Sequence, residues 1–204
     1  HTSPLTTYSQ TADFIFTRVI ARVAVPFFFM VTGFFVLSKG TDVRRFLKKT
    51  AIIYAASAAL YLPINVYAGH LQSWDMIDLV QQVFFEGTFY HLWYLPAAIL
   101  GAWLTWKLMR RLSSGACLAA VAVLYLLGLL GDSYWGLVEN VPVISSVYNA
   151  LFALMGDTRG GLFFAPIFMW LGTQLRYAKP RGAGFEIAGL IVSFALMLAE
   201  ALNA

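Results

Sequence analysis

The sequence contains little charge and almost no cysteine. Only 12% of its 204 residues are Asp, Glu, Lys or Arg, whereas 60% are hydrophobic, and the mean hydropathy is +0.72. Soluble domains carry about 25% charged residues, so this composition excludes a water-soluble surface and indicates an integral membrane protein. The single cysteine, Cys117, excludes an internal disulfide and a zinc site built from several cysteines.

Several recognisable motifs are also missing. The sequence has no signal-peptide pattern and no phosphate-binding loop, zinc-protease or nucleophile-elbow motif. His70 and Asp75 have the spacing found in glycerolipid acyltransferases, but two residues at one spacing recur by chance and are not taken as a site. The net charge of +4 does not predict a nucleic-acid partner, because the basic residues fall in short clusters between apolar runs.

Six apolar segments approach the length of about 20 residues that a spanning helix needs. The connections after the first, third and fifth segments are basic, whereas those after the second and fourth are mainly acidic. By the positive-inside rule the basic turns face the cytoplasm and the acidic loops face outward. The sequence therefore predicts an all-α polytopic bundle in one transmembrane domain, residues 1–204. The six segments are 14–38, 50–67, 87–106, 112–131, 160–175 and 187–204.

Two outer connections have a helical pattern of apolar residues. In "DMIDLVQQVFFEG" (75–87) and "PVISSVYNALFALMG" (142–156), apolar side chains recur at three- and four-residue spacing. We expect two amphipathic helices in the outer interface. They form either a lid over the bundle or the wall of an outward-facing site.

The first segment carries two arginines near its outer end. Arg18 and Arg22 are four residues apart, which places them on one face of an α-helix. Arg18 is near enough to the rim to reach headgroups. Arg22 lies one turn deeper, where an arginine is unfavourable by about 2.5–3.5 kcal/mol at the bilayer centre. It either snorkels or faces a polar cluster inside the bundle. Glu200 lies at a similar depth and either marks a helix end or joins that cluster.

Two further stretches place polar residues at the outer side. "FYHLWYLPAAILG" begins with aromatic residues of the kind that form interfacial belts, which explains Tyr90 and Tyr94 but not His91. His91 is either a structural histidine or part of a site. "GDTRGGLFFAPIF" places Asp157 and Arg159 at the outer mouth of the fifth segment.

These stretches together resemble a known family. "HTSPL", "RVAVPFFFMVTGFF", "FYHLWYLPAAILG" and "TRGGLFFAPIF" follow the order and spacing of the acyltransferase 3 family of membrane proteins. Within it they are most similar to the membrane half of vancomycin-resistance serine racemases. The resemblance covers essentially the whole chain. It implies a larger helical domain of which this chain, beginning at His1, is an internal piece.

The resemblance also implies a reaction and a site. Family members move an acyl group, often acetyl, from cytosolic acyl-coenzyme A to a hydroxyl of an extracytoplasmic glycan. His1 matches the histidine at the end of the family's first helix and would act as general base. Arg22 would hold coenzyme phosphates or the developing oxyanion. The implied substrate-binding residues are Arg18, Tyr90, His91, Arg159 and Glu200. We expect no metal and no bound cofactor, acyl-coenzyme A being a substrate, and a location in the bacterial cell membrane.

The racemase relatives imply a second class of function. Their membrane half is a serine permease fused to a soluble racemase domain. Such a carrier would use Arg22 to bind a carboxylate in a midplane cavity and would need no proton-abstracting histidine. A membrane anchor is a third reading. The residues alone leave these alternatives open.

Overall fold

The computed structural model describes residues 9–40, 42–68, 81–87, 92–158, 160–179 and 182–203. Over these ranges the chain is helical and contains no strand, which confirms the predicted all-α class. The α-helices are α1 (Gln10–Phe14), α2 (Ala24–Thr32), α3 (Val43–Tyr67), α4 (Tyr94–Arg111), α5 (Ser114–Gly131), α6 (Trp135–Val138), α7 (Pro142–Met155), α8 (Ala165–Leu175) and α9 (Ala183–Asn203).

The first predicted segment is one helical stretch of changing geometry. A π-helix (Ile15–Ile20) and a 3-10 turn (Ala21–Val23) join α1 to α2, and a second π-helix (Gly33–Leu37) follows. Pro26 lacks an N–H, and its ring excludes the carbonyl four residues earlier, that of Arg22. The backbone from Arg18 to Arg22 passes from π to 3-10 geometry, and the expectation that the two arginines share one helical face stays a prediction, since the Arg18 side chain is not described.

Within the described ranges, four helical stretches are long and apolar enough to cross a membrane: Ile15–Leu37, Val43–Tyr67, Ser114–Gly131 and Ala183–Ala201. They correspond to the first, second, fourth and sixth predicted segments. The third segment forms α4, whose last turn carries Arg110 and Arg111. The fifth forms α8, whose 11 residues cover about 16 Å at 1.5 Å per residue. Neither helix is among the four, and the expected total of six spans stays a prediction.

The chain divides into a central unit, residues 29–176, and a terminal unit, residues 1–28 with 177–204. In the central unit α8 packs against Gly33–Leu37, α4 and α5, and α3 packs against α4. Cys117, Val121 and Trp170 form a buried cluster there. In the terminal unit α9 packs against Ile15–Ile20.

Two glycines set the closest helix crossing of the central unit. A Cβ on Gly33 would collide with the backbone of Met169, and a Cβ on Gly172 would collide with that of Met30. The first helix and α8 therefore touch backbone to backbone. Small residues at such crossings stabilise helix pairs in lipid, where no hydrophobic force acts between helices.

One of the two predicted outer amphipathic helices is present as α7. Pro142 occupies its first turn, where a missing N–H removes no helical hydrogen bond. The Tyr148 hydroxyl donates to the Leu127 carbonyl of α5 at 2.7 Å, and burial raises the pKa of Tyr148. The opposite side of α7 leaves Val147 and Leu154 exposed.

The other predicted amphipathic helix lies only partly within the described residues. Its end forms a π-helix, Gln82–Glu86. The Tyr54 hydroxyl donates to the Val83 carbonyl at 2.7 Å, and Tyr54 lies about 20 Å before the outer end of α3 at 1.5 Å per residue. This part therefore lies beside the middle of α3, and the Gln81 side-chain amide also donates to the Phe152 carbonyl of α7 at 3.4 Å. The last carbonyls of a helix lack intrahelical partners, and the Tyr54 hydroxyl supplies a donor to one of these carbonyls, that of Val83.

Candidate functional site

Three of the stretches singled out from the sequence meet in the central unit. Phe29 of α2 is fully buried. Its ring stacks on that of Tyr94, the first residue of α4, with centroids 5.0 Å apart, and meets the ring of Phe164, just before α8, at 6.1 Å. The side chains of Tyr94 and Thr32 are hydrogen-bonded. We call Phe29, Thr32, Tyr94, Gly161 and Phe164 the helix-start junction.

A backbone contact closes this junction. Gly161 lies so near Ala97 that a Cβ on the glycine would collide with the Ala97 carbonyl. One turn further on, a Cβ on Gly101 would lie 2.6 Å from the Ala165 Cβ. Only glycine permits both approaches. The two glycines therefore hold the starts of α4 and α8 side by side.

The junction lies at depth along the first helix. Phe29 is about 12 Å from Leu37 at 1.5 Å per residue, whereas the hydrocarbon core of a bilayer is about 30 Å thick. Non-helical backbone at such depth is tolerated where protein covers it or where it lines a cavity. The Tyr94 ring stacks on Phe29 and its side chain is hydrogen-bonded to that of Thr32, whereas its place in an outer aromatic belt stays a prediction.

Two of the predicted site residues, Arg22 and Glu200, are described with their side chains. Both lie in the terminal unit and both are exposed. Within the described part of the chain they form no ion pair with each other. The 3-10 turn that carries Arg22 buries none of its residues. The described helices therefore do not give Arg22 the interior position that was expected, and its role stays a prediction.

The other predicted site residues lie wholly or partly outside the description. Arg18 belongs to the π-helix Ile15–Ile20, but its side chain is not described. The remaining four, His1, Tyr90, His91 and Arg159, are outside the described residues altogether. Their roles in catalysis or substrate binding remain predictions. Across the ranges that the structure covers, no three His, Cys, Asp or Glu side chains come together as a metal site.

Asp13 and Asn65 are among the buried polar residues that sequence reasoning passed over. Asp13 in α1 is 8% exposed and Asn65 in α3 is 4% exposed, and each takes part in an interaction. Ionisable and polar groups inside membrane helices are rare and mark functional positions. Asp13 flanks the first apolar run, so it looks like an ordinary polar residue before a span. Asn65 lies two residues after Pro63, a position typical of a helix end.

The described helices define an all-α membrane protein in which α4 and α8 begin within the bundle. A sequence profile of the acyltransferase 3 family, described as an acyltransferase domain, matches residues 1–202. The chain belongs to this family of membrane acyltransferase-like proteins.

The chain is similar to larger proteins of enterococci. It is 42% identical over 208 residues to an amino-acid racemase of Enterococcus faecalis, across 100% of this chain and 29% of the relative. It is 37% identical over 187 residues to a serine/alanine racemase of Enterococcus gallinarum, across 86% of this chain and 26% of the relative. The chain thus spans less than a third of these curated relatives. No solved structure matches it.

Proposed function

We propose that the chain is the membrane part of an acyltransferase that moves an acyl group, acetyl in the simplest case, from acyl-coenzyme A to a glycan hydroxyl outside the cell. The family match over residues 1–202 carries this proposal. His1 removes the proton of the attacking hydroxyl, whose oxygen bonds to the acyl carbon as the thioester C–S bond breaks, and then returns the proton to the departing coenzyme A thiolate. Arg22 binds phosphate or the oxyanion through its planar guanidinium. The candidates for orienting the acceptor are Arg18, Tyr90, His91, Arg159 and Glu200.

The helix-start junction supports a transfer across the membrane. Helices α4 and α8 begin at the level of Phe29, which lies about 12 Å from Leu37, the inner end of the first helix, at 1.5 Å per residue. A donor from the cytosol and an acceptor from outside then need to meet across only part of a core about 30 Å thick. Thr32 and Tyr94 supply hydroxyl groups at that level.

The proposed location is the bacterial plasma membrane, crossed several times with the basic turns in the cytoplasm. The three basic connections support this orientation. Single cysteines placed at Lys48, Lys107 and Lys179 in a Cys117→Ala background should react only with a permeant maleimide in intact cells. Labelling of any one by an impermeant maleimide would contradict the topology.

The activity is tested with the full-length protein in membrane vesicles supplied with radiolabelled acetyl-coenzyme A. Label should enter the glycan fraction, and His1→Ala should abolish that label while protein abundance stays normal. Lys179→Gln, which alters an exposed basic residue, is the matched control and should retain activity. Near-normal labelling with His1→Ala would remove His1 from the mechanism.

A second candidate function is a serine carrier that serves a fused soluble racemase domain. The observation that favours it is the 42% identity to a protein named amino-acid racemase over the whole of this chain. Arg22 would then bind the carboxylate of serine. Proteoliposomes containing the full-length protein would accumulate radiolabelled serine, and vesicles would transfer no acetyl label. Acetyl transfer without serine uptake would exclude this alternative.

A further inference from the structure

The start of α3 presents a strongly basic face. Four exposed residues, Arg44, Arg45, Lys48 and Lys49, lie within the first two turns of this helix. At 3.6 residues per turn they occupy an arc of about 140°, whereas Val43 and Thr50 on the other side are buried. Among the described side chains, none forms an ion pair with these four.

Within the chain itself, this position is unfavourable for positive charge. The N-terminus of a helix carries the positive end of the helix dipole, which disfavours cations. Arg44 and Lys48 are four residues apart, as are Arg45 and Lys49, and like charges at that spacing repel each other. Asp42, the residue before the helix, makes no capping hydrogen bond with its side chain.

The basic end of α4 shows the opposite arrangement. Lys107 lies over the ring of Trp103 at 5.6 Å, and Arg110 lies over that of Trp106 at 5.1 Å. Both cations are near the C-terminus of a helix, where the dipole favours them, and both gain a cation–π contact. The positive charges of α4 are therefore stabilised within the chain, whereas those of α3 are not.

An exposed apolar surface continues directly from the basic face of α3. Ile52 and Leu60 follow along the same side of the helix and are 58% and 77% exposed. Cations above a lipid-facing apolar strip match a headgroup phosphate above its acyl chains. A water-soluble anion has no acyl chain and would not contact that apolar strip. We propose that this basic face binds anionic phospholipid headgroups in the cytoplasmic leaflet.

The test uses the full-length protein extracted from vesicles of equal parts phosphatidylglycerol and phosphatidylcholine. Mass spectrometry gives the ratio of the two lipids that remain bound, and wild type should be enriched in phosphatidylglycerol. Each basic side chain near an anionic surface contributes about fivefold, so Arg45→Gln with Lys49→Gln should lower the enrichment by about tenfold or more. Lys107→Gln with Arg110→Gln removes the same charge on the same side and should lower the enrichment much less, because these two cations already lie over Trp103 and Trp106.

Three results would overturn the proposal: equal enrichment in wild type and the α3 variant, an equal loss in the α4 variant, or displacement of the lipid by coenzyme A. The last would assign the face to a soluble phosphate ligand. Wild type alone gives a further measurement should the α3 variant fail to fold. Its enrichment should fall between 0.1 and 1 M salt, as the Debye length shrinks from about 10 to about 3 Å. Constant enrichment would contradict the assignment.

Discussion

The central unit contains glycines that face the backbone of a neighbouring helix, whereas the described glycines of the terminal unit do not. In the central unit, Gly33 and Gly172 each face the backbone of a neighbouring helix. In the terminal unit, Gly184 and Gly189 of α9 have no atom within 4 Å of the place where a Cβ would be. None of the apolar window of α9 is buried. Both units are apolar, so apolar composition alone does not produce the close backbone contact seen in the central unit, which small residues at the crossing permit.

The two units also differ in where they place polar groups. The central unit buries Thr32, Thr105 and Thr173, which satisfy their hydroxyls within the bundle. The terminal unit leaves Arg22 and Glu200 exposed. Arg22 and Glu200, two of the residues proposed for chemistry, are therefore less covered than these threonines. Substitutions should separate effects on stability from effects on chemistry.

The largest effect on stability is expected from Gly172→Ala. The new Cβ meets the Met30 backbone, which no change of rotamer relieves, and overpacking of this kind lowers the free energy of unfolding by about 3 kcal/mol. The matched control Gly189→Ala should instead raise it by about 0.5–1 kcal/mol, because alanine favours a helix over glycine. Thermal unfolding in detergent measures both. Equal effects would contradict the contrast between the units.

Arg176→Gln should have the next largest effect. The Arg176 guanidinium donates to the Phe34 carbonyl at 3.2 Å and lies 5.5 Å from the centre of the Phe34 ring. Losing a charged hydrogen bond and a cation–π contact should lower the free energy of unfolding by about 1.5 kcal/mol. Lys179→Gln, nearby and exposed, should stay within about 0.5 kcal/mol of wild type. An unchanged unfolding midpoint in Arg176→Gln would show that Arg176 contributes only to the orientation of the chain in the membrane and not to its stability.

Tyr94→Phe should have a smaller effect. The ring still stacks on Phe29, so only the hydrogen bond to Thr32 is lost, which lowers the free energy of unfolding by about 1 kcal/mol. Tyr67, which is 94% exposed, supplies the control Tyr67→Phe, and this variant should match wild type. The double variant Tyr94→Phe with Thr32→Val should have nearly the same free energy of unfolding as Tyr94→Phe alone. Additive losses would mean that the two hydroxyls act independently.

The long helices could be predicted from the sequence, because an apolar run in lipid satisfies its backbone groups only as a helix. The starts of α4 and α8 could not. They depend on contacts such as Gly161 with Ala97, which join residues far apart in the chain and leave no periodic signal. The hydrogen bond from Arg176 to the Phe34 carbonyl could not be predicted either. A basic residue after a span already has a topological explanation, so nothing pointed to the Phe34 carbonyl.

Part of the candidate site was also beyond prediction. Phe29 and Tyr94 each belong to an apolar motif, and single motifs do not reveal that one stacks on the other. Asp13 was missed because acidic residues commonly precede apolar helices. Arg22 was singled out by its unfavourable depth, yet Pro26 disturbs only the turn directly before it, and the π-helix Ile15–Ile20 leaves no signal in the sequence.

The smallest effect on stability, and the clearest on chemistry, is expected from Arg22→Lys. Arg22 is exposed, so lysine should leave the free energy of unfolding within about 0.5 kcal/mol of wild type. Lysine keeps the charge but loses the planar fork that binds carboxylate or phosphate through two hydrogen bonds. Acetyl transfer or serine uptake by the full-length protein should therefore fall about tenfold or more. Lys39→Arg, which also exchanges one exposed cation for another, should leave that activity unchanged. Full activity with Arg22→Lys would show that Arg22 contributes only a positive charge near the membrane surface.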